Sequence, residues 1–85
     1  MPMERDTYKY ELLDGNIVVY VGITNDPTRR EAEHRAEGMK FTRMRIVGRV
    51  STNKGAGDWE ANRIATYKDN HNGQRPKYNS NDSGK

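Results

Sequence analysis

The feature that most constrains the fold is an apolar run that ends abruptly at a helix start signal. The run Ile17-Val18-Val19-Tyr20-Val21 is rich in β-branched residues and predicts a strand covered on both faces, which we expect to be central in its sheet. Asn25-Asp26-Pro27 follows, in which the aspartate can cap a helix and the proline can begin it. The pattern predicts a helix through Thr28–Glu37 that stops at Gly38.

Two further strands are indicated by period-two alternation on either side of this unit. Upstream, residues 8–13 alternate as a half-exposed strand that ends at the turn Asp14-Gly15-Asn16, which predicts a hairpin with the apolar run. Downstream, Phe41–Val50 places apolar side chains on one face and arginines on the other. We expect Met44, Ile46 and Val50 on the core face, opposite Arg43, Arg45 and Arg49.

A second helix is predicted towards the end of the chain. Ser51–Gly57 has the composition of a loop, and Asp58 is a suitable N-cap for a helix over Trp59–Asn70. Its expected buried stripe consists of Ala61, Ile64, Ala65 and the stem of Lys68, with Trp59 packed in the core. The order strand, strand, helix, strand, helix predicts a small α+β domain with an antiparallel sheet of about three strands.

The composition predicts one domain with a thin core. The chain has 85 residues, of which 32% are hydrophobic, and it contains no cysteine, which excludes disulfides and thiolate metal sites. The domain is expected to span 1–85, with a core at about 6–79 and a flexible tail at 80–85. A membrane span and a secretory signal are absent from the sequence, and we expect a cytoplasmic protein without a membrane partner.

The positive charge is concentrated in the second half of the chain. Residues 1–40 hold six Lys and Arg against eight Asp and Glu, whereas residues 41–85 hold nine against four. This distribution favours a polyanion partner, with a solvated surface as the alternative. The candidate contacts to a nucleic-acid backbone are Arg43, Arg45, Arg49, Lys54, Arg63, Arg75 and Lys77.

One set of residues resembles the motifs of the GIY-YIG nuclease domain superfamily. Tyr20-Val21-Gly22 matches the second motif, Arg30 lies ten residues after Tyr20 and His34 four further on, and Glu60 and Asn79 follow in order. The resemblance extends from Tyr8 to Asn79 and rests on order and spacing together. The first motif differs, because Asp6-Thr7-Tyr8 lacks the glycine that the family carries there.

The resemblance implies a metal-dependent endonuclease that hydrolyses phosphodiester bonds, with DNA favoured over RNA. Glu60 would bind a single divalent metal ion, Mg²⁺ or Mn²⁺, and Arg30 would bind the scissile phosphate. Tyr8 or Tyr20 would act as general base or would position the attacking water, which requires a phenol pKa lowered by nearby cations or metal. His34 would accept a proton from a tyrosine or bind the phosphate, and Asn79 would brace the site.

Each of these assignments has an alternative at the level of sequence. Tyr10 lies on the same strand face as Tyr8 and can replace it as the tyrosine of the first motif, although the spacing to Tyr20 favours Tyr8. Glu60 can be an acidic residue at a helix start, His34 a surface histidine, and Tyr78-Asn79 a turn.

Alternative functions also follow from the same motifs. The domain can be a non-catalytic nucleic-acid-binding module that retained the fold, or the nuclease domain of a toxin or effector. The chain has no room for an added DNA-binding domain, so a separate targeting domain or protein partner would supply sequence specificity. The sequence does not determine the oligomeric state.

Overall fold

A computed structural model describes residues 5–79 as a three-stranded antiparallel sheet with two helices, which confirms the predicted α+β class. The elements are β1 Tyr8–Asp14, β2 Ile17–Thr24, α1 Pro27–Ala36, β3 Arg43–Ile46 and α2 Asn53–Asn70. The predicted flexible tail at 80–85 lies outside the described residues. Within residues 5–79, no helix is both long enough and apolar enough to cross a membrane.

The central strand is β1, so the prediction that the apolar run of β2 is central was wrong. The strand order is β2-β1-β3, and β1 pairs antiparallel with both neighbours. The sequence pattern indicated the wrong central strand because the charged Glu11 is typical of a half-exposed strand. Glu11 is only 2% exposed, and its carboxylate accepts hydrogen bonds from Arg45 on β3 and Arg63 on α2. A paired carboxylate can occupy a buried strand position that an unpaired one cannot.

The β1–β2 hairpin sets which side chains share a face. The turn at Gly15, whose φ is 63°, joins the strands where the sequence predicts it. Tyr10 lies opposite Gly22 and Leu12 opposite Tyr20, after which the register shifts by one residue. The shift is a bulge in β2 that lets Val19 and Tyr20, consecutive residues, both join the core cluster.

The last described residues cover the outer edge of β2. The backbone N–H of Tyr78 donates to the Val19 carbonyl at 2.8 Å. The Asn79 side chain accepts from the Val21 N–H at 2.9 Å and donates to the Val21 carbonyl at 3.0 Å. These contacts satisfy the backbone of an edge strand, which would otherwise present open hydrogen-bonding groups.

Helix α1 begins and ends as predicted, whereas α2 begins earlier. Asp26 caps α1 by accepting from the Arg29 N–H at 3.1 Å, and the helix ends before Gly38. The cap of α2 is Thr52, whose hydroxyl accepts from the Gly55 N–H at 3.0 Å, so the predicted loop at Ser51–Gly57 and the Asp58 cap were wrong. Two glycines in the first turns gave this segment a loop-like composition, although the threonine cap suffices to start a helix.

The buried stripe of α2 and the core face of β3 also differ from the predictions. Ala56, Glu60 and Ile64 are the buried residues of α2, at a spacing of four, and the predicted Ala61 and Ala65 are exposed. Strand β3 spans four residues rather than ten, and Ile46 is 43% exposed. This edge strand is too short to hold a covered apolar face along its length.

Candidate active site

A cavity of about 620 Å³ opens at the end of the sheet where β2 stops. Its wall combines segments far apart in the chain: Thr7 before β1, Thr24 at the end of β2, Arg30 and Glu33 on α1, and Glu60 on α2. The helix start at Pro27 follows directly from the strand end, so α1 delivers its first turns to the mouth of the cavity. Three predicted site elements, β2, α1 and α2, therefore meet at one place.

Two tyrosines and a histidine form a packed aromatic cluster next to this cavity. The Tyr10 hydroxyl and His34 Nε2 are hydrogen bonded at 2.7 Å, and both side chains are fully buried. The Tyr20 ring lies 4.7 Å from the His34 ring and 6.0 Å from the Tyr10 ring, centroid to centroid. Arg30 and Glu60, which line the cavity, act electrostatically on both phenols. The cluster is thus within reach of the cavity's charges.

Gly22 leaves the space that this cluster occupies. A Cβ built on Gly22 would lie 2.6 Å from the Tyr10 phenol oxygen and 2.7 Å from a carbon of the Tyr20 ring. Those distances are far below van der Waals contact. The glycine that resembles part of the family's second motif therefore has a steric role here: it permits both rings to lie against the backbone of β2.

Replacing Gly22 with alanine should lower the free energy of unfolding by about 1–3 kcal/mol, because the added methyl group overpacks the cluster. Urea unfolding followed by circular dichroism measures the change. Gly57→Ala is the control, since a Cβ there meets nothing within 4 Å and lies inside α2. That control should stabilise the protein by up to about 1 kcal/mol through helix propensity. Equal effects of the two substitutions would contradict the steric role of Gly22.

Burial determines the protonation states of the cluster. It raises the pKa of the Tyr10 phenol well above the usual 10.0, with Tyr20 adding to the shift and Arg30 opposing it. Burial also raises the pKa of Tyr20, again against Arg30. Burial and then the Arg30 cation lower the pKa of His34 below 6.5. At neutral pH both phenols are therefore protonated and the imidazole is neutral, so the shift of the phenols is opposite to the predicted lowering.

The contacts of the imidazole indicate the direction of the Tyr10–His34 hydrogen bond. The Glu37 carboxylate lies 3.4 Å from His34 Nδ1. A carboxylate is an acceptor, which favours the proton on Nδ1 and leaves Nε2 as the acceptor for the Tyr10 hydroxyl. A neutral imidazole that accepts from a phenol in this way fixes the orientation of the phenol hydroxyl.

Tyr10, rather than Tyr8, is the β1 tyrosine that contacts His34. Tyr8 lies opposite Thr24, about 7 Å further along the strand at about 3.3 Å per residue, and is half buried. Among residues 5–79, no hydrogen bond or ring contact joins Tyr8 to His34. The pairing register places Tyr10, not Tyr8, beside the open backbone of Gly22, and which of the two phenols is the first-motif tyrosine stays a prediction.

Glu60 lies in the middle of α2 and is 2% exposed. The helix begins at Asn53, so the alternative of a carboxylate stabilised by a helix start does not apply, because the dipole effect falls off within the first turn. Glu60 lines the cavity with the hydroxyl-bearing residues Thr7 and Thr24. A buried carboxylate at a cavity wall is the kind of oxygen ligand that a hard cation such as Mg²⁺ takes. No group of three or more His, Cys, Asp or Glu able to hold a metal occurs in residues 5–79.

Arg30 meets the cavity with its guanidinium engaged by an acidic neighbour. Its Nη1 donates to Glu33 Oε1 at 3.0 Å, and Arg29 Nε lies 3.9 Å from Glu33 Oε2. Sequence reasoning missed Glu33 as a site residue, although its position three residues after Arg30 on a predicted helix places the two side chains on one face. The remaining predicted site residue, Asn79, is buried and holds the backbone of Val21, next to both Tyr20 and Gly22.

The predicted nucleic-acid contacts do not share one environment. Arg45 and Arg63 bind the buried Glu11, which partly neutralises them. Lys54 pairs with Asp58 at 3.0 Å. The other four predicted contacts are Arg43, Arg49, Arg75 and Lys77, all exposed. None of the seven lines the cavity, so any contact they make lies outside its wall.

Comparison with known proteins finds a relative that carries the name of an uncharacterised family. The chain is similar to a UPF0213 protein of Cupriavidus pinatubonensis, with 41% identity over 56 residues, covering 60% of this chain and 62% of the relative. The match thus spans less than two thirds of that relative's length. No family model matches the chain. No solved structure gives a significant match either.

Proposed function

We propose that this protein hydrolyses phosphodiester bonds of nucleic acid as a metal-dependent endonuclease. The observation that supports the proposal is that Arg30 and Glu60 line one cavity and act electrostatically on Tyr10 and Tyr20 of the buried cluster beside it. The set combines a phosphate-binding cation, a phenol hydrogen bonded to a neutral imidazole, and a buried carboxylate. It agrees with the resemblance to the GIY-YIG nuclease domain in which these residue types occur in this order.

Arg30 is the group suited to the phosphate. A guanidinium donates two parallel hydrogen bonds to phosphate oxygens and stabilises the negative charge that grows during hydrolysis. Its present partner, Glu33, occupies one of these donors. A phosphodiester that enters the cavity would replace the Glu33 carboxylate as the partner of Arg30.

Tyr10 and His34 are suited to positioning the attacking water. The Tyr10 hydroxyl donates to His34 Nε2 over 2.7 Å, which leaves the lone pairs of the phenol oxygen to accept a hydrogen bond from that water. Because burial raises the pKa of Tyr10 and lowers that of His34, the phenol keeps its proton at neutral pH and acts by hydrogen bonding. Tyr20 packs against His34 and holds the imidazole ring in place.

Glu60 would hold the divalent metal, Mg²⁺ or Mn²⁺. When bound, the ion would stabilise the negative charge on the phosphate and the leaving oxygen. A site with one protein carboxylate suits Mg²⁺, which keeps several waters and takes further oxygens from the substrate. The role of Asn79 is to fix the β2 backbone on which Tyr20 and Gly22 stand.

Incubation of the protein with supercoiled plasmid and with labelled RNA, each with Mg²⁺ and with EDTA, tests the proposal. We expect nicking of plasmid that requires the metal. Absence of cleavage of either substrate, together with salt-dependent binding of nucleic acid, would instead identify a binding module. Cleavage of RNA alone would support the proposed nuclease activity and would show that its substrate is RNA rather than DNA.

The Glu33→Gln substitution should increase the affinity for nucleic acid about two- to fivefold, because it removes the carboxylate that competes with phosphate for Arg30. Fluorescence anisotropy of a labelled oligonucleotide, in EDTA and at fixed salt, measures the affinity. Glu31→Gln is the matched control, since it removes the same charge from the same helix. The Glu31 carboxylate pairs with Arg35 at 3.1 Å, away from the cavity. An equal gain in both variants would show a net-charge effect and no competition at Arg30.

A further inference from the structure

A second cavity, of about 250 Å³, lies at the opposite end of the sheet from the candidate active site. It is formed between the start of β2 and the last turns of α2, and its lining includes Ile17, Arg63, Tyr67 and His71. The Ile17 side chain is 64% exposed, an unusual position for a large apolar residue in a chain with a thin core. None of these residues has a role in the proposed hydrolysis.

The two aromatic side chains of this cavity stack on each other, which leaves the outer face of the pair for a ligand. The rings of Tyr67 and His71 are stacked with centroids 3.7 Å apart and planes inclined by 5°. His71 Nδ1 donates to the Tyr67 carbonyl at 2.7 Å, which locks the orientation of the imidazole at the end of α2. A planar platform held in place before a ligand arrives costs little entropy when a flat ring stacks on it.

Among the residues that line this cavity, Arg63 is the cation, and the buried Glu11 partly offsets its charge. No carboxylate lines this cavity within the described residues, whereas Glu33 and Glu60 line the first one. Arg63 is held at the cavity by its 2.6 Å bond to the buried Glu11. Asn16 and Asn70 add amide groups, which can donate to and accept from the edge of a heterocycle.

We propose that this second cavity binds the base of an unpaired nucleotide, with Tyr67 and His71 as the stacking platform. Aromatic side chains bind unpaired bases in this way, and neighbouring cations bind the strand's phosphates. The volume is below that of typical small-molecule pockets and suits one ring system. The cavity would serve as an anchor for a single strand, separate from the proposed hydrolytic site and independent of metal.

The distance between the two cavities sets the length of strand that can reach both. They lie at opposite ends of β2, whose eight residues span about 23 Å at about 3.3 Å per residue. At the rise of about 3.4 Å per nucleotide of a stacked B-form strand, that distance corresponds to about seven nucleotides, and a more extended single strand spans it with fewer. A strand anchored at Tyr67 would therefore present to Arg30 a phosphate at most about seven nucleotides away.

Binding of a single-stranded 12-mer of DNA and of RNA, measured by fluorescence anisotropy in EDTA, tests this inference without any cleavage. Tyr67→Ala and His71→Ala should each weaken binding by about 5- to 150-fold, the loss expected when one stacking partner is removed. Tyr67→Phe keeps the ring and should bind like the wild type. Because metal is absent, a failure of the proposed hydrolysis leaves this experiment unaffected.

An NMR titration of the wild type with a nucleoside monophosphate adds a readout that does not depend on the stability of a variant. We expect shifts of the backbone amides of Ile17, Asn70 and His71, and none with inorganic phosphate alone. Wild-type affinity in both alanine variants would overturn the proposal. So would the absence of shifts at these amides, or equal binding of a 12-mer that lacks bases.

Discussion

Tyr10→Phe should reduce cleavage at least about 100-fold, whereas Tyr8→Phe should leave the rate within about twofold of the wild type. The phenol oxygen of Tyr10 is the one hydrogen bonded to His34, and phenylalanine removes it while keeping the ring that packs in the core. Initial rates of plasmid nicking with saturating Mg²⁺ measure the difference. The two substitutions remove the same atom from the same strand face, so each serves as the other's matched control.

Two further results bear on this prediction. Thermal unfolding of Tyr10→Phe should remain cooperative, with a loss of about 1–3 kcal/mol, because the buried His34 Nε2 loses its hydrogen-bond partner. Loss of cleavage in Tyr8→Phe and its retention in Tyr10→Phe would refute the assignment. It would mean that the half-buried phenol nearer to Thr24 acts on the substrate.

Glu60→Gln should abolish cleavage under all Mg²⁺ concentrations tested, a loss of at least about 100-fold, because the amide cannot bind a divalent cation as a carboxylate does. Rates measured over a range of Mg²⁺ and Mn²⁺ concentrations test this. A second readout is the binding of Mn²⁺ to the protein alone, followed by electron paramagnetic resonance. That measurement reports the ligand role of Glu60 whether or not the substrate is the right one.

The control for Glu60 lies two residues earlier on the same helix. Asp58 is exposed and pairs with Lys54, so Asp58→Asn makes the same change of charge without touching the cavity. We expect wild-type rates and wild-type Mn²⁺ binding from it. Retention of Mn²⁺ binding in Glu60→Gln would exclude Glu60 as the metal ligand, even if cleavage were lost.

The local elements of the fold were the ones that sequence patterns predicted well. The start of helix α1 is set by Asp26 and Pro27, which cap and begin the helix within its first turn. The hairpin is set by the turn at Gly15. The start of α2 was missed because Gly55 and Gly57 have low helix propensity. There the Thr52 cap and the burial of Ala56, Glu60 and Ile64 outweighed propensity.

The identity of the central strand could not be predicted from β1 or β2 alone. From the sequence, Glu11 is expected to face solvent. In the folded protein it is buried because Arg45 on β3 and Arg63 on α2 bind its carboxylate. The two arginines are 34 and 52 residues away in the chain. Burial of a carboxylate depends on partners at such separations, and no local pattern reports them.

The sequence by itself determined the α+β class, the hairpin, α1 and the set of residue types available for phosphate chemistry. Only the tertiary structure decided which of these residues meet. Tyr8 and Tyr10 share a strand face, so alternation cannot separate them, but the pairing of Tyr10 with Gly22 gives its ring the space beside His34. The pairing register is set by contacts summed over the whole sheet, which is why only the folded protein shows which phenol contacts His34.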